Sequence, residues 1–311
     1  MKSWKGTLAA LIITILVVAI AVPGFAGSSG LYEMSVFENP TTLNIFSATG
    51  PQSTVWNDFV ASSQYYTSLY GLAQPYMTFV PSVAADMPSE LKQEKIGGNT
   101  YYTSIVKMRK DIKWSNNTSL TADDVAFSYN AVLDMDPNKL GGNWPSIVDP
   151  TVLERVEKVD NYTVKFILKE KPGLAQWQYG VLQTYLLNKA YWEPVFAKAK
   201  KASDPVKELL AYEPIGEPAA GPFMFGKWEK GAFFQNVANP AYSMKGQITT
   251  FYEDGNVTIV NPKTGFKWQS SKPTGKVLLK VTEGPNVSGT LYRILGNQAA
   301  AVMSLIGGQV D

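Results

Sequence analysis

The sequence predicts an α/β fold in which mixed β-sheets are flanked by helices. Two observations lead to this prediction. Between residues 31 and 211, segments that alternate apolar and polar residues are interleaved with segments whose apolar residues recur at helical spacing. From Phe223 onward, short strand-like runs separated by Gly, Pro and Asn dominate. With 311 residues, 45% of them hydrophobic, the chain can form one large core or two ordinary ones.

The composition excludes several classes of function. The chain has no Cys and no His, so it has no thiolate nucleophile, no Ser-His-Asp triad, no His-ligated zinc and no imidazole proton shuttle. Its 28 basic and 26 acidic residues leave a net charge of +2, without the cation excess of nucleic-acid-binding proteins. We therefore expect no nucleic-acid partner, no metal, no cofactor and no catalysis.

Residues 1–26 are predicted to be a secretory signal peptide or an N-terminal membrane anchor. Lys2 and Lys5 precede an apolar stretch from Leu8 to Val22, and the small-residue site Gly24-Phe25-Ala26 follows it. The apolar stretch is shorter than the ~20 residues of a spanning helix, but with its small-residue flanks it nearly reaches that length, so both alternatives stay open. The rest of the chain is expected to be extracytoplasmic: secreted, periplasmic or at the cell surface.

If the chain is exported, its Asn-x-Ser/Thr sequons are possible acceptors for N-glycosylation. Each sequon in this chain lacks proline at its middle position. The candidate glycosylation sites are Asn116, Asn117, Asn161, Asn256 and Asn286.

The first predicted elements alternate between strand and helix. Residues 31–37 predict a strand that ends at the turn sequence Asn39-Pro40, and residues 54–70, which lack Gly and Pro, predict a helix. Residues 101–108 predict another strand. The asparagines at 116–117 tolerate the left-handed conformation of a tight turn before the next helix.

The next elements have stronger local signals. Thr121 and Asp124 have the spacing of a capping box and predict the start of a helix that continues through Leu133. Residues 154–168 predict a β-hairpin that turns at Asp160-Asn161. An amphipathic pattern over residues 195–211 predicts a surface helix.

Strands dominate the last third of the chain, which ends in a predicted helix over residues 297–307 with Gly307-Gly308 as its stop. The predicted strands span residues 223–228, 233–237, 249–252, 257–260, 277–281 and 290–295.

Several of these segments resemble one protein family. The runs Met108–Trp114 and Leu120–Tyr129 are similar to the most characteristic segment of the family 5 extracellular solute-binding proteins. That family comprises the dipeptide, oligopeptide and nickel receptors of ABC importers, and some oligosaccharide receptors. Further similar segments follow in the family's order at Pro81–Ala84, Gly221–Trp228, Asn239–Tyr242 and Ala301–Asp311.

The resemblance implies a type II periplasmic-binding-protein fold, in which two α/β lobes close over a ligand. It identifies residues 27–311 as lobe I, with core segments at about 27–75 and 215–311 and an inserted subdomain at about 76–214. It also implies that lobe II is absent. The stretch Lys245–Ser288 is longer than is typical of the family and is predicted to contain an added pair of hairpins. The absence of His argues against a nickel receptor.

The resemblance further implies a substrate-binding component of an ABC importer that captures peptides and delivers them to a membrane permease. Because loops at strand ends form the cleft edge of lobe I in this fold, the implied ligand-binding residues are Asn44, Thr49, Gln52, Trp56, Trp144 and Trp177. For the last two tryptophans, core packing is an alternative role.

Three other functions stay open: an oligosaccharide receptor of the same family, a glycosidase-like enzyme, and an inactive truncated fragment. The enzyme would need paired carboxylates, for which the adjacent pairs Asp123-Asp124 and Glu253-Asp254 are the candidates.

Overall fold

The computed structural model describes residues 30–311, so the signal or anchor segment predicted at 1–26 lies outside the described residues. The strands, in chain order, are β1 (Leu31–Val36), β2 (Tyr70–Ala73), β3 (Thr78–Pro81), β4 (Lys92–Ile96), β5 (Asn99–Lys107), β6 (Leu153–Asp160), β7 (Thr163–Leu168), β8 (Phe223–Glu229), β9 (Phe233–Ala238), β10 (Ile248–Tyr252), β11 (Val257–Val260), β12 (Lys267–Gln269), β13 (Val277–Thr282) and β14 (Gly289–Ile294). The α-helices are α1 (Ile45–Thr49), α2 (Val55–Asn57), α3 (Ser63–Tyr65), α4 (Ala122–Asp134), α5 (Pro137–Leu140), α6 (Trp144–Ile147), α7 (Lys189–Ala199), α8 (Pro205–Leu210) and α9 (Gln298–Ile306). Two π-helical turns, Asp58–Ser62 and Gln176–Gly180, and a 3-10 turn, Val181–Gln183, complete the helical segments in this part of the chain.

A mixed sheet with the strand order β1-β14-β9-β8 joins distant parts of the chain. β1 runs parallel to β14, with Leu31 opposite Gly289, and the other pairs are antiparallel. Glycine is needed at position 289 because a Cβ atom there would lie 2.2 Å from the carbonyl oxygen of Asn236 on β9. The buried Asn236 side chain accepts a hydrogen bond from the Tyr65 hydroxyl and donates one to the Val60 carbonyl, each 2.8 Å long. These bonds hold the helical run at residues 55–65 against the sheet.

An antiparallel sheet with the order β4-β5-β7-β6 packs against α4. The hairpin predicted at 154–168 is confirmed as β6 and β7. The predicted start of α4 is also confirmed: the Thr121 backbone N–H donates to the Asp124 carboxylate at 2.9 Å. That carboxylate also accepts the Lys189 backbone N–H at 2.9 Å, so the start of α4 is tied to the start of α7.

The stretch predicted to contain added hairpins forms an antiparallel sheet, β12-β11-β10-β13, which we call the outer sheet. Four of its residues, Phe251, Val257, Ile259 and Trp268, form a small apolar cluster with Val80 of β3.

One buried cation joins the outer sheet to the body of the protein. Arg109 forms a two-pronged ion pair with Asp111 and donates to the Gln247 amide oxygen at 2.8 Å, and its guanidinium lies 3.8 Å from the ring centroid of Phe266.

Two predicted helices differ from the structure in extent. A helix was predicted at 54–70, but the observed helical run covers only residues 55–65 and contains the first π-helical turn. It is shorter than predicted because the chain enters strand β2 at Tyr70. The helix predicted at 195–211 is wrong, since α7 ends at Ala199 and α8 begins at Pro205. The break follows from Asp204, which caps α8, and from Pro205, which fits only the first turn of a helix.

The main core is rich in aromatic side chains. Phe46 is fully buried and lies 5.4 Å from the ring of Trp144, 5.1 Å from Trp192 and 5.1 Å from Phe196. This cluster joins α1, α6 and α7, so it fixes the position of segments far apart in the chain. Within residues 30–311, no helix is both long and apolar enough to cross a membrane.

Candidate ligand-binding groove

A groove of about 960 Å³ opens between the helical run at 55–65, strand β2 and the segment 179–185. Segment 66–68 and Ile147 of α6 also line it. The groove continues into a shallower depression of about 640 Å³, with which it shares Ile147, Tyr179 and Gly180. The two spaces are therefore contiguous.

None of the residues that line the groove carries a charge. Three are amides, and four are hydroxyl residues: Gln64, Gln74 and Gln183, then Ser63, Thr67, Ser68 and Thr184. The aromatic lining residues are Phe59, Tyr66, Tyr179 and Tyr185. A surface of amides, hydroxyls and aromatic rings suits neutral hydrogen-bonding groups, such as peptide backbone or sugar hydroxyls, better than an ionic ligand.

The two π-helical turns present the most exposed aromatic residues of the groove. Phe59 is 43% exposed and meets the ring of Tyr292 edge-on at 5.6 Å, and Tyr179 is 55% exposed and meets Phe79 edge-on at 6.4 Å. Each ring therefore has a packed partner and also a surface open to solvent. π-helical turns of this kind are frequent at functional sites.

Two tyrosines that line the groove are held by hydrogen bonds to carboxylates. The Tyr185 hydroxyl donates to the Asp58 carboxylate at 2.6 Å, and burial together with this carboxylate raises the pKa of Tyr185 well above its usual value. The ring of Tyr66 lies 5.5 Å from that of Tyr185, and its hydroxyl donates to the Glu217 carboxylate at 2.7 Å. Both phenols therefore stay protonated at neutral pH and are fixed in orientation.

None of the residues predicted to bind ligand lines this groove. Asn44 is fully buried, and its side-chain amide donates to the carbonyls of Leu209 and Tyr212. Thr49 is also buried. Gln52 is exposed and Trp56 is half-buried against Phe37, and neither lines the groove.

The two other tryptophans form part of the core. Trp144 stacks on Phe46 and donates its indole N–H to the Phe46 carbonyl at 3.0 Å, and Trp177 packs edge-on against Phe166. Their neighbours in sequence do line the groove, at Ile147 and Tyr179. These two segments were predicted from the sequence, but the groove-lining residues Phe59, Tyr179, Gln183 and Tyr185 were not, because no local signal distinguishes groove from core.

The candidate glycosylation sites remain predictions. Four of the asparagines, Asn116, Asn117, Asn161 and Asn286, are exposed. Asn256 is half-buried, and its side-chain oxygen accepts hydrogen bonds from Ser270 and Ser271.

The adjacent carboxylate pairs do not form a catalytic arrangement. Asp123 pairs with Lys158 at 2.6 Å, whereas Asp124 caps its own helix. Asp254 accepts two hydrogen bonds from Thr274 in an exposed turn. Neither pair contributes to the lining of the groove.

Comparison with known proteins identifies the family to which this chain belongs. The chain is 27% identical over 199 residues to the oligopeptide-binding protein AppA of Bacillus subtilis, a match that covers 61% of this chain and 33% of AppA. It is 31% identical over 168 residues to the dipeptide-binding protein of Escherichia coli, which covers 49% of this chain and 29% of that protein. The chain thus spans about a third of the length of the curated relatives that it matches.

The structure resembles that of AppA in complex with a nonapeptide, with a TM-score of 0.59 at 21% identity over 91% of this chain and 43% of AppA. It also resembles a mannohexaose-bound oligopeptide-binding protein from Thermotoga maritima, with a TM-score of 0.57 at 18% identity over 91% of this chain and 40% of the other. These similarities show a type II periplasmic-binding-protein fold. The family model for the middle part of the bacterial extracellular solute-binding proteins, family 5, matches residues 78–311. The chain belongs to the family 5 bacterial extracellular solute-binding proteins.

Proposed function

We propose that the protein is the extracytoplasmic substrate-binding component of an ABC importer, and that its groove contacts a peptide to be delivered to a membrane permease. The observation that carries this proposal is the uncharged lining of amides, hydroxyls and aromatic rings in a member of this family. Two of the family relatives described above are named for binding oligopeptides and dipeptides. The protein acts by binding and release, without chemical change to its ligand.

The chemistry of the groove fits a peptide backbone. An extended peptide presents one N–H and one C=O per residue, and the side-chain amides and hydroxyls of the groove can pair with both. Tyr179 and Phe59 offer apolar surface to side chains of different shapes. The groove would therefore select for backbone and length more than for side-chain charge.

The test is a calorimetric titration of the protein with a neutral tetrapeptide, repeated with Tyr179→Ala. Loss of one exposed aromatic contact is expected to weaken binding about fivefold or more, which corresponds to ~1 kcal/mol. Tyr32→Ala is the matched control, because Tyr32 is 43% exposed on β1 and lies outside the groove. Equal affinities for the wild-type protein and Tyr179→Ala would contradict the assignment of the groove.

A second ligand class is favoured by the exposed aromatic rings. Phe59 and Tyr179 are arranged along one groove, and such rings stack on the apolar faces of sugars. A parallel titration with a β-linked tetrasaccharide separates the two classes. Binding of the saccharide without the peptide would replace the peptide proposal, and binding of neither would end both.

A further inference from the structure

A second, more enclosed cavity of about 220 Å³ adjoins the groove. Tyr66 lines both spaces. The lining of the second cavity is mostly aromatic and apolar, with Tyr65, Met224 and Phe225 among its walls, and it contains one carboxylate, that of Glu217.

The Glu217 carboxylate is held in a fixed orientation. The Tyr66 hydroxyl donates to its Oε2 atom at 2.7 Å, and the Trp192 indole N–H donates to its Oε1 atom. Each carboxylate oxygen has two lone-pair directions, so one direction on each oxygen remains for another donor. Glu217 as a whole residue is partly exposed and lines the cavity, from which a ligand can approach its carboxylate.

No cation balances this carboxylate in the part of the chain that the structure describes. Neither a lysine nor an arginine between residues 30 and 311 forms an ion pair with Glu217. The other titratable groups around it are the phenols of Tyr65, Tyr66 and Tyr191, which are neutral at physiological pH. Burial raises the pKa of Glu217 to about 7, against the opposing effect of its two hydrogen bonds. A buried anion without a counter-ion among apolar and aromatic walls is costly, and a cationic ligand would offset that cost.

We propose that this cavity binds a primary alkylammonium group, whose N–H donors contact the Glu217 carboxylate and whose alkyl chain packs on Met224 and Phe225. An ammonium supplies three donors, and the two open lone-pair directions of the carboxylate can accept two of them. The apolar walls favour a short hydrocarbon chain over a strongly hydrated inorganic cation. This site is distinct from the proposed peptide groove, and its test does not depend on the proposed function.

The experiment titrates the protein with n-butylammonium, using 1-butanol as the neutral analogue. The reporter is the indole N–H resonance of Trp192, assigned by its loss in Trp192→Phe, because this group contacts the proposed anion directly. We expect saturable shifts of this resonance with n-butylammonium and none with 1-butanol. Since only the ionised carboxylate binds the cation, the affinity at pH 8 should be roughly tenfold higher than at pH 6.

Glu217→Gln keeps the shape of the side chain and removes its charge, so binding should fall at least tenfold. Glu213→Gln is the matched control, because it removes an exposed carboxylate four positions earlier, outside the cavity, and should bind like the wild type. An unchanged far-UV circular dichroism spectrum verifies that both variants are folded. The proposal is overturned if n-butylammonium does not bind at pH 8, if it binds Glu217→Gln as well as the wild type, or if 1-butanol binds equally.

Discussion

Replacing Arg109 with Met is expected to loosen the outer sheet from the rest of the protein. The guanidinium is fully buried and has four partners: Asp111, Gln247, the ring of Phe266 and, at 3.4 Å, the carbonyl of Ser82. Met fills much of the same volume but leaves the buried Gln247 oxygen without its donor, at a cost of ~1–2 kcal/mol. The lost cation–π contact adds ~0.5–1 kcal/mol.

The ion pair adds less than a fully buried pair would. The side chain of Asp111 is 21% exposed, so its carboxylate can regain water when Arg109 is removed, and we assign ~1 kcal/mol to this loss. Burial on its own would raise the pKa of Asp111, but the hydrogen bonds from Arg109 and Thr264 outweigh it and lower that pKa. The total for Arg109→Met is therefore about 3 kcal/mol, much of it local to the outer sheet.

Hydrogen exchange measures this loss where it occurs. Amides of β10 and β13 should exchange about a hundredfold faster in Arg109→Met, since each ~1.4 kcal/mol of lost opening free energy is tenfold in rate. Lys107→Met makes the same type of change at an exposed position two residues away, and it should alter the exchange by less than threefold. If β10 amides in Arg109→Met exchange within threefold of wild type, this account of how the outer sheet is attached is wrong.

Two further predictions concern a glycine and a buried carboxylate. In urea unfolding, Gly142→Ala should destabilise the protein by ~2 kcal/mol or more beyond the loss caused by Gly97→Ala. The two glycines have similar backbone angles, with φ of 58° at Gly142 and 55° at Gly97. Only at Gly142 would an added Cβ atom lie 2.3 Å from a backbone oxygen, that of Gly50. Equal losses would refute the steric argument. Glu217→Gln should become more stable relative to the wild-type protein as the pH rises from 5 to 8. Folding raises the pKa of Glu217 from 4.5 to about 7. The protonated side chain therefore contributes its full stability below pH 4.5, and this contribution is lost as the pH rises through 7. Urea midpoints at both pH values test this, and a difference that does not change with pH would contradict it.

Local sequence signals predicted those elements whose stability is decided locally. The capping box at Thr121 and Asp124 involves residues three positions apart, and the hairpin of β6 and β7 turns within a few residues. The strands from β8 to β14 were predicted for the same reason, except β12, which spans three residues, Lys267–Gln269. The alternating strand and helix patterns predicted the α/β class. The type II periplasmic-binding-protein fold, in contrast, was predicted only by the family resemblance, because no local signal specifies it.

The position of the groove could not be predicted in this way, because its walls come from segments distant in sequence. Helical geometry explains why the sequence predicted the correct segments but the wrong ligand-binding side chains within them. Successive residues of a helix are rotated by about 100°, so residues two apart lie on nearly opposite faces. Trp177 packs into the core on Phe166, and Tyr179 therefore faces the groove. Large aromatic residues mark such a turn as important, but which of them is exposed depends on partners such as Phe166 that only the folded chain brings close.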